Sequence, residues 1–271
     1  MIFFYRFLLF FLVSVSVSAE IVADMGAPVN QQPGVGAAGN GVPLVNINTP
    51  SEAGVSRNSY SRFDVGTEGA IFNNSANNVQ TQLGGWVEGN ERLSGGSARV
   101  ILNEVNSSDP SLLRGYLEVA GDRADVVVAN PEGITCDGCG FIHANRGTLT
   151  TGRAVFNNGG GIEGYGVVDG LVRVGGRGMD GSTTNYAEII ARAVEIQAEL
   201  WANELEVRSE GAGTIPRVGI DTSELGGMYA GSITLIVSGE GAGVSNAGKM
   251  VADKDDVVIT ADGEICGIRE Y

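Results

Sequence analysis

Val126-Val127-Val128-Ala129-Asn130-Pro131-Glu132-Gly133-Ile134-Thr135-Cys136-Asp137-Gly138-Cys139-Gly140-Phe141-Ile142 alternates short apolar runs with turns. Val126 to Val128 is β-branched throughout, which favours a strand. Asn130-Pro131 starts a good turn, because proline pre-sets φ and asparagine bonds its own backbone two residues on. Gly133 is free to take a positive φ. A second run, Ile134 to Cys136, reaches another glycine turn, and Phe141-Ile142 begins a third. Strands this short do not make a wide open sheet. They suit a solenoid or a sandwich.

The rest of the chain has the same texture. Short β-prone runs recur at Phe63-Asp64-Val65, Ala70-Ile71-Phe72, Arg99 to Leu102 and Tyr116 to Val119, separated by Asn, Gly, Ser and Asp. Further on come Gly170 to Val174, Gly231 to Val237 and Asp256 to Thr260. Glycine accounts for 42 of 271 residues, roughly twice the average share of ~7%. That nearly excludes a helical bundle, since each interior glycine costs a helix about 0.5–1 kcal/mol. Collagen lacks its Gly-X-Y period here. With 43% apolar and 18% charged residues, disorder is not expected. The net charge of −15 repels a phosphate backbone, so nucleic acid is not an expected partner.

Residues 1–19 read as a secretory signal peptide: Arg6, then an apolar run from Phe7, then small residues at Val17-Ser18-Ala19. The run is shorter than the ~20 residues of a spanning helix. The mature chain begins near Glu20, in a setting where cysteines pair. Residues 20–42 read as an extended lead-in with turns. Ile233 and Val257 occupy like positions in runs 24 residues apart, close to one β-helix turn. Ala187 to Val207 has helical spacing at Ile190, Val194, Trp201 and Leu205, but alternation at Val194, Ile196, Ala198 and Leu200. Its glycine-bounded β neighbours decide for strand.

Motifs that suggest chemistry are weak. Gly176-Arg177-Gly178-Met179-Asp180-Gly181 matches a dinucleotide pattern without the required helix in view. Gly243 to Met250 misses the hydroxyl of a P-loop at Met250 and runs on into a strand. Cys136 and Cys139 fit half a zinc site, a redox pair or a local disulfide, the last being the plainest reading in an oxidising compartment. Cys266 is then left as a free or chain-linking thiol. His143 is the sole histidine, and no G-x-S-x-G elbow accompanies it. No catalytic constellation, metal site or cofactor is expected.

The stretch from Val126 to Ile142 resembles the signature of the two-partner secretion domain, which opens filamentous haemagglutinins, contact-dependent growth-inhibition exoproteins and related haemolysins. Arg62 to Gly66, Phe72 to Ser75, Thr81 to Gly85, Ile101 to Val105 and Thr148 to Gly152 are also similar to that family. Leu225 to Gly231 resembles the start of its haemagglutinin repeats. Two departures stand out. The family's first turn, Asn-Pro-Asn-Leu, is here Asn90-Glu91-Arg92-Leu93, without proline to pre-set φ. The second turn, Asn130-Pro131-Glu132-Gly133-Ile134, carries Glu132 where asparagine is usual.

The resemblance implies an all-β, right-handed parallel β-helix with an N-terminal cap and extra-helical hairpins. Inward Val, Ile and Leu would form the core, with Asn and Gly at the corners. Roughly ten coils would span ~50 Å. It implies a secretion core over 43–160, and a β-helix continuation with the first repeats over 161–271. The expected partner is a TpsB-type outer-membrane β-barrel transporter with POTRA domains. Host or neighbouring-cell surface receptors are further candidates. On this reading the protein is exported through the periplasm to the cell surface or medium, and is truncated before any effector. The competing readings are a β-helix enzyme that cleaves polysaccharide, with converging carboxylates, and an inactive remnant.

Overall fold

From Val100–Val105 the chain turns into Ser111–Leu113, then Tyr116–Gly121, then Ala124–Ala129. The last of these lies in parallel register on the first, with Val126 beside Ile101. Repetition of this circuit stacks three faces around one core. The first face, containing Val100–Val105, has nine strands; the second, containing Tyr116–Gly121, has nine; the third, containing Ser111–Leu113, has seven. The fold is the expected right-handed parallel β-helix, its hand being that of parallel crossovers generally. The computed structural model describes residues 20–212 and 216–267, so the signal-peptide reading of residues 1–19 lies outside the described residues. Nine strands make eight steps, about 38 Å along the axis. Among the described residues this is shorter than the ten-coil expectation, because the cap and two hairpins take up chain.

The cap is antiparallel. Ile21–Ala23 pairs with Val55–Phe63, and Gly34–Ala37 folds back on Pro43–Asn46. The lead-in is therefore extended and also paired. Below it, Tyr60, Phe63 and Phe72 are buried, with ring centroids 4.9 Å and 6.2 Å apart. Such large side chains contribute about 1.5–3 kcal/mol each on burial. Asn58 and Asn103 also point inward and are wholly buried. Asn103 donates from Nδ2 to Val127 O at 3.0 Å and accepts from Tyr60 OH at 2.9 Å. These amides link coil to coil where apolar side chains would be expected. Burial raises the Tyr60 hydroxyl well above its ordinary pKa.

Further along, the core is aliphatic. Ile189, Ala191, Val194, Ile196, Leu200, Leu205 and Val207 all face inward. They belong to Tyr186–Ala191, Ala193–Ile196, Glu199–Ala202 and Glu204–Ser209, which together make rather more than one coil. The strand reading of this segment holds. Corner residues such as Arg192 and Asn203 shift the alternation phase, and this produces the helix-like spacing. Ile233 is the register partner of Val257, so the spacing of 24 is one coil.

Two antiparallel hairpins stand outside the helix, as expected. Val79–Thr81 with Gly85–Val87 covers Ile71 and Ala120. Its turn is held by Glu118, whose carboxylate accepts from Gln82 N at 2.6 Å and Leu83 N at 2.8 Å. Arg153–Phe156 with Ile162–Gly166 covers Leu102, Val127 and Ala129. Unbroken apolar runs such as Val126 to Val128 arise because the hairpins bury the outer side of those strands as well.

Candidate functional site

The corner from Asn130 to Ile134 joins the first face to the third. Asn130 is fully buried. Its Nδ2 donates to Asp109 O at 3.0 Å and to Ser111 Oγ at 2.9 Å, both on the preceding coil. Its Oδ1 accepts from Glu132 N at 3.0 Å, and its backbone N–H donates to Thr150 O of the following coil at 2.9 Å. Gly133 N donates back to Asn130 O at 3.1 Å, and Gly133 O accepts from Ser111 N at 3.0 Å. The Asn130 side chain thus ties its turn to the preceding coil, and its backbone N–H ties it to the following one. Gly133 sits at φ 115°, and a Cβ there would lie 3.0 Å from Leu171 O. Ile134 drops into the core between Ser111 and Val172. Glu132 is exposed and engages the corner through its backbone.

Asn90 repeats the pattern. It is buried and caps the short 3-10 turn Glu91–Leu93, its Oδ1 accepting from Arg92 N at 3.1 Å. Its Nδ2 donates to Ile47 O at 2.9 Å and Asn73 O at 3.1 Å. Leu93 N donates to Asn90 O at 3.0 Å, and the Leu93 side chain enters the core. Arg92 replaces the family's second asparagine. It reaches Gln32 O at 2.7 Å and Asn48 Oδ1 at 2.6 Å, so it fastens the cap to this corner. The turn keeps its contacts without proline.

Just past the second corner, Cys136 and Cys139 are disulfide-bonded and buried. Cys266 is free and exposed. His143 is an exposed one-residue corner at φ 60°, its Nδ1 3.1 Å from Val119 O. Gly176 and Gly178 take positive φ at the corner between Leu171–Val174 and Met179–Gly181, with no helix following. Gly243–Asn246 and Lys249–Ala252 are rungs, so the P-loop likeness is accidental. Among the described residues no cluster of three metal-ligating side chains occurs. Glu188 and Glu206 are neighbours on the first face. Glu188 accepts from Thr148 Oγ1 at 3.0 Å and lies 3.7 Å from Arg146, while Glu206 is bound by Tyr186 OH and Arg208 Nε. Burial raises the Glu188 carboxyl above its ordinary range, against the pull of Thr148 and Arg146.

The chain matches the TPS secretion domain model over residues 19–209. The chain belongs to the TPS secretion domain family. It is 50% identical over 268 residues to Toxin CdiA of Yersinia pestis, a match covering 93% of this chain and 8% of that protein. It is 42% identical to a tRNA nuclease CdiA of Escherichia coli strain STEC_O31, covering 96% of this chain and again 8% of the relative. The crystal structure of the filamentous hemagglutinin secretion domain superposes with a TM-score of 0.76 at 28% identity, covering 91% of this chain and 97% of that one. The chain therefore spans about 8% of the length of these curated relatives and nearly all of the solved secretion domain. The TPS fold, the family and a place among exported exoproteins are established on these grounds.

Sequence reasoning placed Asn130 and Asn90 at turns but not their partners. Asp109 and Ser111 lie in a polar loop whose proximity to Asn130 follows only from the winding. Asn58, Asn103 and Asn74 were missed. Asn74 donates to Ala98 O at 2.9 Å and Asp122 O at 2.8 Å, a third corner tie of the same kind. Buried asparagine in an otherwise β-branched strand was the available signal.

Proposed function

We propose that this domain carries an exoprotein out of the cell through a TpsB-type outer-membrane β-barrel, whose periplasmic POTRA domains capture the chain while it is extended. Main-chain pairing to a POTRA strand gives affinity, and alternate side chains give specificity. The chain crosses the periplasm unfolded and winds up outside. A finished coil cannot slide back, so winding draws the remainder outward without a nucleotide. Asn130 to Ile134 is the turn that commits winding, and Asn90 to Leu93 seats the cap on it. Residues 43–160 act as the secretion core, and residues 161–271 continue the helix into haemagglutinin-type repeats. The domain itself performs no catalysis. Receptors on host or neighbouring cells are the business of whatever the domain exports.

The observation that carries this reading is the burial of Asn130 with polar bonds to both adjacent coils. A turn that is saturated only when three coils are stacked can report that stacking has begun. The test is secretion of the Asn130→Ala, Pro131→Ala double variant from cells supplying the cognate barrel. At least a tenfold fall in secreted protein is expected, with accumulation inside. Export at the normal level would remove the turn from the mechanism.

A further inference from the structure

On the second face the outward positions Asp180, Trp201 and Tyr229 are successive register partners. The Trp201 and Tyr229 rings stack with centroids 4.3 Å apart and planes inclined by 13°. Stacked rings on a parallel ladder stand across the face, so each uses one side on its neighbour. A cleft of about 280 Å³ opens beside them, lined by Trp201, Glu199, Asp180, Tyr116 and Arg177 but not by Tyr229. The second side of the indole is therefore a wall of that cleft, and Trp201 is 45% exposed.

The remaining walls are polar and held in place. Asp180 accepts from Tyr116 OH at 2.8 Å through Oδ2, and from Ser182 N at 3.0 Å and Ser182 Oγ at 2.6 Å through Oδ1. Burial opposes its ionisation, but these donors prevail and hold the carboxyl below its ordinary range. Glu199 Oε2 accepts from Trp201 Nε1 at 3.3 Å, which fixes the indole and leaves Oε1 to a ligand. Arg177 Nη2 donates to Arg114 O and Asp137 O, both at 2.6 Å, and its Nε lies 3.5 Å from Asp137 Oδ1, so its charge is paired at the edge of the cleft.

We propose that this cleft binds a neutral hexopyranose glycan. An aromatic wall beside fixed carboxylates matches a ring with a C–H face and a hydroxyl rim, since the indole face is electron-rich and the carboxylates accept. Nucleobases stack equally well but bring phosphates, which a chain of net charge −15 repels. Uronic acids are repelled by the same carboxylates. The cleft is slightly smaller than the range of about 300–1,000 Å³ for small-molecule sites, so it holds one sugar ring with the chain running out over the face.

The test uses purified protein, so it is independent of export. Maltohexaose, cellohexaose and chitohexaose are titrated calorimetrically, with polygalacturonate as the anionic probe. Trp201 is read by fluorescence in a Trp86→Phe background, Trp86 being the other tryptophan and lying on a hairpin. At least one neutral hexasaccharide should bind and quench Trp201. Trp201→Ala should weaken it more than tenfold and Glu199→Gln several-fold, with the far-UV dichroism unchanged. Should Trp201→Ala fail to fold, the Glu199→Gln variant decides alone, as its side chain is exposed. The proposal is overturned by no binding to any neutral probe, by binding indifferent to the decisive variant, or by tighter binding of polygalacturonate.

Discussion

Asn130 and Ser111, 2.9 Å apart between Nδ2 and Oγ, join two successive coils at a point closed to water. Removing the amide by Asn130→Ala leaves the buried Ser111 Oγ short of its partner, while the Asp109 carbonyl and the Glu132 N–H sit on exposed residues that water can serve. An unsatisfied buried group costs about 1–3 kcal/mol, and a loss within that range is expected. Urea unfolding of the purified domain measures it.

Glu132 gives the opposite expectation. Its side chain is in solvent and only its backbone serves the corner. Glu132→Asn, which restores the family's usual residue, should change stability by less than about 0.5 kcal/mol. Thermal unfolding of the two proteins side by side checks this, and secretion should be indistinguishable.

The disulfide closes a loop between residues only three apart. The chain-entropy relation gives so short a loop roughly 2 kcal/mol, well below what a long-range bridge contributes. Cys136→Ala with Cys139→Ala should therefore lower stability by about that amount without abolishing the fold. Comparing this variant with the oxidised protein in urea gives the figure.

Glu188 contributes one part of the pH dependence. Its folded pKa is raised, chiefly by burial, so the native state binds the proton more readily than the unfolded chain. That contribution to stability is present below the unfolded pKa and is lost as pH rises through the folded one. Glu188→Gln should stabilise the domain at pH 7 and have little effect near pH 3. Unfolding midpoints at the two pH values decide it.

Glycine and asparagine between short β-prone runs left a solenoid or a sandwich open, and the resemblance of Val126 to Ile142 to the two-partner secretion signature pointed to the β-helix. The Ile233–Val257 spacing was a true coil, yet the period stayed hidden. Hairpin Arg153–Phe156 with Ile162–Gly166 lengthens the coil between Gly147 and its partner Ala187, whereas Ala187 and Leu205 lie only 18 residues apart. The antiparallel pairing of Gly34–Ala37 was also illegible, since four small residues carry no alternation to read. The asparagine corners were half legible. The turn chemistry is local, but the partners on other coils lie 17 to 48 residues away.

The account turns on the chain crossing the barrel unwound, and a cross-coil bridge tests that. Arg173 and Glu195 are register partners on the third face, partly exposed and 2.8 Å apart as an ion pair. Arg173→Cys with Glu195→Cys, on a Cys266→Ser background, locks two coils together once oxidised. Protein is accumulated and oxidised in the periplasm, and the barrel is then induced with or without a reductant. Secretion only after reduction, with the bridge re-forming outside, is the predicted result. Secretion of the bridged protein at the normal rate would contradict the account.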